Sequence, residues 1–102
     1  MREPTINDID MMARALAGLP DDDMLPAAES ILARADYADK YRKRHGRHHA
    51  AWGGGDIASA VTSDGDFPPG RRANDPDFLR AMALTCALLA ARIRAHTMQV
   101  AA

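Results

Sequence analysis

The residues most able to do chemistry sit together in one short stretch. Lys40, Arg42, Lys43, Arg44 and Arg47 fall within ten residues that hold no acid, and three of the four histidines, His45, His48 and His49, lie among them. Tyr37 and Tyr41 lead into this stretch and Trp52 follows it. Guanidinium groups offer paired donors to carboxylate or phosphate, and the aromatic rings offer faces for stacking. Two functional chemistries fit: docking on an acidic protein surface, or binding nucleic acid. A third explanation is structural, because cations at a helix C-terminus complement the helix dipole by about 0.3–1 kcal/mol each. The charge distribution keeps all three open. Residues 40–49 sum to +5, residues 1–39 to −6 and residues 50–102 to zero, within a chain of net charge −1. The basic patch is therefore local, and a generally basic polyanion-binding coat is excluded.

Other constellations carry less. His45, His48 and His49 have the three- and four-residue spacing that converges on a metal along a continuous helix, but Gly46 interrupts it and no carboxylate lies nearer in sequence than Asp39 and Asp56. The histidines are expected to be solvated, and no metal is assigned. Trp52-Gly53-Gly54-Gly55-Asp56 resembles an anion nest before a helix, yet it lacks the Lys-Ser/Thr of a phosphate loop, and Asp56 would repel an anion. A tight turn anchored by Trp52 is the expectation. Cys86, the single cysteine, excludes an internal disulfide; flanked by Leu84, Leu88 and Leu89, it is expected to be a buried small hydrophobe. No Ser-His-Asp or paired-carboxylate arrangement can be singled out, because the twelve Asp suit caps and turns. The reading is a non-enzyme with no cofactor.

Helices must position these groups. Thr5 and Asp8 form a capping box, and Ile6, Ile9, Met12, Ala13, Leu16 and Leu19 recur at helical spacing up to Gly18 and Pro20. A second helix starts in Asp21-Asp22-Asp23, with Pro26 expected in its first turn, and runs about 20 residues to Gly46. Its buried side reads Leu25, Ala28, Ile31, Leu32, Ala35 and Ala38, while Tyr37 and Tyr41 share a different face with Arg34 and Arg44. Gly-rich loop 46–55 leads to a short helix from Ile57 to about Thr62, capped by Asp56. Gly/Pro-rich connector 63–74 leads to Asp75-Pro76, an N-cap followed by proline at the first helical position. The last helix runs to about His96 with Leu79, Met82, Cys86, Leu89 and Ile93 on one face and Phe78, Ala81, Thr85 and Leu88 on another. So wide an apolar arc is normally central. No strand or internal repeat is evident. The expected fold is all-α over 1–102: a small irregular bundle of three main helices and one short helix, with the C-terminal helix central.

Composition sets the remaining bounds. Ala supplies 21 of the 102 residues and aromatics only 5%, so the core is thin. The surplus apolar face of the last helix favours dimerisation. The apolar run from Ala81 to Ala91 falls short of the roughly 20 residues a membrane span needs. The start Met1-Arg2-Glu3-Pro4 carries no apolar signal segment, which with a lone thiol points to the cytoplasm. Arg over Lys, and abundant Ala, fit a GC-rich bacterial genome. The stretch from Ala38 to Gly53, with its Tyr41-Arg42-Lys43-Arg44-His45-Gly46-Arg47 core, a following His49 and Trp52-Gly53, resembles short uncharacterised alphaproteobacterial proteins of unknown function. That resemblance implies a bacterial cytosolic protein and no activity. The function expected is a helical interaction module, with self-association as an option, whose partner-binding residues are Tyr37, Tyr41, Arg42, Arg44, Arg47, His48 and Trp52; the alternative is nucleic-acid binding through 40–49.

Overall fold

The computed structural model describes residues 1–63 and 65–101. The chain forms four helices, α1 (Ile6–Ala17), α2 (Asp21–His45), α3 (Ile57–Val61) and α4 (Pro76–Ala101), and no strand among the described residues. Thr5 and Asp8 close the expected capping box at the start of α1: the Asp8 amide donates to Thr5 Oγ1 at 3.2 Å and the Thr5 amide to Asp8 Oδ2 at 2.9 Å. Asp75 caps α4 by accepting from the Asp77 amide at 3.0 Å. Gly46 ends α2 in the left-handed region at φ 69°, where a residue without Cβ is favoured.

α2 is longer than expected, at 25 residues, and Pro26 lies just beyond its first turn. The ring removes one backbone donor there, on a solvent-facing side of the helix. α4 likewise continues past His96. The connector between α3 and α4 is irregular, with Asp64 lying outside the described residues.

α1 touches all three other helices and packs most extensively on α4. The core consists of Met12, Ala13, Leu16 and Ala17 from α1, Met24, Ala28, Ile31, Leu32 and Ala35 from α2, Ile57 and Ala60 from α3, and Phe78, Ala81 and Leu89 from α4. Burial departs from the sequence reading where one face had to be chosen from two. Met24, not Leu25, enters the core, and Leu25 stays 43% exposed, about 100° further round the helix. α4 docks through its 78-81-85-89 stripe, so Leu79, Cys86 and Ile93 face outward and Met82 is only half-buried. Cys86 is thus exposed rather than buried, because no element covers that side of α4. Ile6 is also exposed, one turn before the α1 stripe enters the core.

Candidate functional site

Tyr37, Tyr41 and His45 recur every four residues along α2 and therefore line one face. The loop beyond Gly46 folds back onto that face. His49 and Gly53 exchange backbone hydrogen bonds of 2.9 and 3.0 Å, closing a three-residue turn. Inside the turn, His49 Nδ1 accepts from the amides of Ala51 and Trp52, both at 3.1 Å. The His49 ring stacks on Trp52 with centroids 4.8 Å apart. Tyr37 meets both rings edge-on, at 5.5 and 5.4 Å, and Tyr41 meets His49 at 5.0 Å and His45 at 4.4 Å. Such pairs contribute about 0.5–1.5 kcal/mol each beyond area burial. Trp52 is anchored on the bundle through Tyr37, as the tight-turn reading requires.

The glycines after Trp52 let this loop approach α2 closely. Gly55 has φ 97°, and a Cβ there would stand 2.6 Å from the Asp39 Cα. At Gly54 a Cβ would stand 2.9 Å from His48 Nε2. Close packing, rather than an anion cradle, accounts for both.

The basic stretch divides into two parts. Asp39 is buried in α2, and its carboxylate receives Arg42 at 2.8 Å, Lys43 at 3.1 Å and the Met1 ammonium at 3.3 Å. Burial on its own raises the Asp39 pKa, but hydrogen bonds from Arg42, Lys43 and the ammonium outweigh it and hold the carboxyl far below the usual range. Asp36 behaves in the same direction: burial opposes, and bonds from the Met1 ammonium and Arg92 prevail. Arg42 is half-buried, contrary to the exposure expected for a cation near a helix end, because it is recruited by Asp39 one turn earlier. Lys40, Arg44 and Arg47 are exposed and make no ion pair among the described residues. His48 is exposed, near Gly54.

An open apolar groove of about 420 Å³ lies beside the aromatic cluster, lined by Ser30, Ala33, Arg34, Tyr37 and Trp52. Arg34, on its wall, donates to Ser63 Oγ at 3.0 Å. Tyr37, Tyr41 and Trp52 are thus brought together, while Arg42 is drawn into the Asp39 network. His49 and Arg34 also belong to this cluster, although the expected partner-binding set leaves both out. The four-residue step from Tyr41 to His45 was visible, whereas the fold-back that inserts His49 depends on glycine contacts with α2.

A family model described as a domain of unknown function (DUF7742) matches residues 2–89. The chain belongs to that family. No curated protein and no solved structure matches it. The DUF7742 match spans α1, α2, α3 and α4 as far as Leu89, which is buried; residues 90–100 are all exposed. The aromatic cluster and the Asp39 network therefore lie inside the family domain. No helix is long and apolar enough to cross a membrane among the described residues.

Proposed function

We propose that this is a small non-enzymatic interaction module of the bacterial cytoplasm that docks onto an acidic protein surface. The observation that carries the reading is the pairing of an open apolar groove with uncommitted cations on the same helix. Tyr37 and Trp52 supply aromatic anchor area of the kind enriched at interface centres. Arg44 lies two turns beyond Tyr37, and Arg47 and His48 follow it, giving the cationic rim. Arg42 serves this surface indirectly, by fixing Asp39 and with it the end of α2. Nucleic acid is the weaker alternative. With Arg42 and Lys43 engaged by Asp39, three free cations remain in the 40–49 stretch, and three phosphate contacts give a salt slope of only about −3 on duplex DNA.

The test uses Arg44→Gln/Arg47→Gln, leaving Arg42 in place because its loss would also unpair Asp39. Wild type and variant are compared for melting and for retention on immobilised polyglutamate and on duplex DNA. Retention on polyglutamate that the double variant loses, with melting preserved, is the expected result. Equal retention of both proteins, or retention on DNA alone, overturns the reading. Lost stability with unchanged retention assigns the charges to the helix dipole.

A further inference from the structure

The acidic surface that fits this site is present on the chain itself. We propose that the protein forms a two-fold homodimer in which α2 pairs antiparallel with α2 of a second copy, centred on Ala33. This rests on the acidic-partner reading and names that partner.

The argument starts from the solvent side of α2. Asp22, Pro26, Glu29, Ser30, Ala33, Tyr37, Lys40 and Arg44 are all exposed. At 100° per residue they fall within about 60° of one line along the helix. The line runs from Asp22 to Arg44, about 33 Å at 1.5 Å per residue. Its chemistry changes in order along that length: carboxylates at one end, the Ala33–Tyr37 groove in the middle, cations at the other end. Asp22, Glu29, Lys40 and Arg44 make no ion pair among the described residues, whereas Asp21 beside them is engaged by Arg80.

That order is self-complementary under a two-fold axis, and only in the antiparallel sense. Asp22 and Arg44 lie eleven residues either side of Ala33, Pro26 and Lys40 seven, and Glu29 and Tyr37 four. An isologous contact then sets Asp22 against Arg44 of the second copy, and Glu29 beside its Tyr37 and Lys40. Each pairing occurs twice. The small Ala33 allows close approach on the axis, and the two grooves with their Trp52 rims meet at the centre. A parallel pair would instead set acid on acid. The result has the anatomy of a protein interface, an apolar centre within a charged rim, on a seam narrow enough to make a weak, salt-sensitive dimer.

The exposed Leu79-Cys86-Ile93 stripe of α4 is a competing seam, and Cys86 reports on it directly. The experiment is oxidative cross-linking of full-length Ala33→Cys/Cys86→Ser beside wild type, with sedimentation of both at high micromolar concentration. Cross-linked dimer through Ala33→Cys, concentration-dependent dimer in sedimentation, and dissociation by salt are expected. Arg44→Asp should weaken the dimer about tenfold, and mixing it with Asp22→Arg should restore a heterodimer. A monomer at all concentrations, cross-linking through wild-type Cys86 only, or no rescue on mixing overturns the dimer. Arginine-dependent retention on polyglutamate by a strictly monomeric protein leaves the acidic-partner reading standing without it.

Discussion

The carboxylate of Asp8 accepts from the amide of Ala58 at 2.9 Å, so a residue in the first turn of α1 caps the first turn of α3 fifty residues later. Its other oxygen closes the capping box of its own helix. The Asp8 side chain is buried where the two helices meet. Asp56, the expected cap of α3, makes no side-chain cap bond. A helix of five residues has almost no stability of its own, so α3 depends on this borrowed acceptor and on burial of Ile57 and Ala60.

Asp8→Ala removes the α3 cap and the reciprocal half of the α1 capping box at once, while Thr5 Oγ1 keeps the residue-8 amide. With about 0.5–2 kcal/mol per cap, the expected loss is about 2–3 kcal/mol, read from urea denaturation. Asp56→Ala should change stability by less than about 0.5 kcal/mol. Equal effects of the two substitutions would refute the assignment.

The Asp8 capping box was legible because both of its ends lie within four residues. The long-range half of the same side chain was not, since no local signal places Ala58 beside α1. The same limit explains the rest. Helical periodicity located α1, α2 and α4, and the Asp56 signal located α3, but on α4 two apolar faces competed, and only packing on α1 decided that Thr85 goes inward and Cys86 outward. The basic stretch was conspicuous in composition. Its division between a structural pair, Arg42 and Lys43, and free Lys40, Arg44 and Arg47 depends on the burial of Asp39, which a pattern of solvent-facing acids does not reveal.

Acid should expose the Asp36–Asp39 network. Both carboxyls have pKa values lowered in the folded state, so the folded protein binds fewer protons than the unfolded chain in this region. Their contribution is complete above the unfolded carboxylate range near pH 4 and is lost as pH falls below it toward the folded values. Asp39→Asn should flatten the fall in melting temperature between about pH 4 and pH 2 while lowering stability at pH 7. A wild-type acid limb that Asp39→Asn leaves unchanged would show that other carboxylates govern it.

Two glycines should respond differently to alanine. Gly46 has φ 69° with nothing near the added Cβ, so Gly46→Ala carries only the left-handed penalty of about 1–2 kcal/mol. Gly55 has φ 97°, and an added Cβ there would also stand 2.6 Å from the Asp39 Cα of α2. Gly55→Ala must displace the loop from Asp39, and a loss exceeding that of Gly46→Ala by about 1–3 kcal/mol is expected. Trp52 fluorescence should shift with it, because the same loop carries the ring. If Gly46→Ala is the more damaging, close approach does not explain this loop.

The register of α4 is tested by three positions within about one turn of each other. Leu89 is buried, and Leu89→Ala should cost about 2–5 kcal/mol through lost transfer energy and a cavity. Cys86, one turn earlier and outward, should tolerate Cys86→Ser within about 0.5 kcal/mol. Its thiol should react with a soluble disulfide reagent in the folded protein without prior unfolding. Thr85 is the discriminating case. It is fully buried, yet Oγ1 has no hydrogen-bond partner. An unpaired buried hydroxyl carries a desolvation penalty of about 1–3 kcal/mol, and replacing it by a group of the same shape removes that penalty. Thr85→Val should therefore leave stability unchanged or raise it, by up to about 1 kcal/mol, while Thr85→Ala should lower it by opening space beside α1. A destabilised Thr85→Val protein would mean that the hydroxyl is paired in solution. A protected Cys86 thiol together with a tolerated Leu89→Ala would mean that α4 presents its other face to the core.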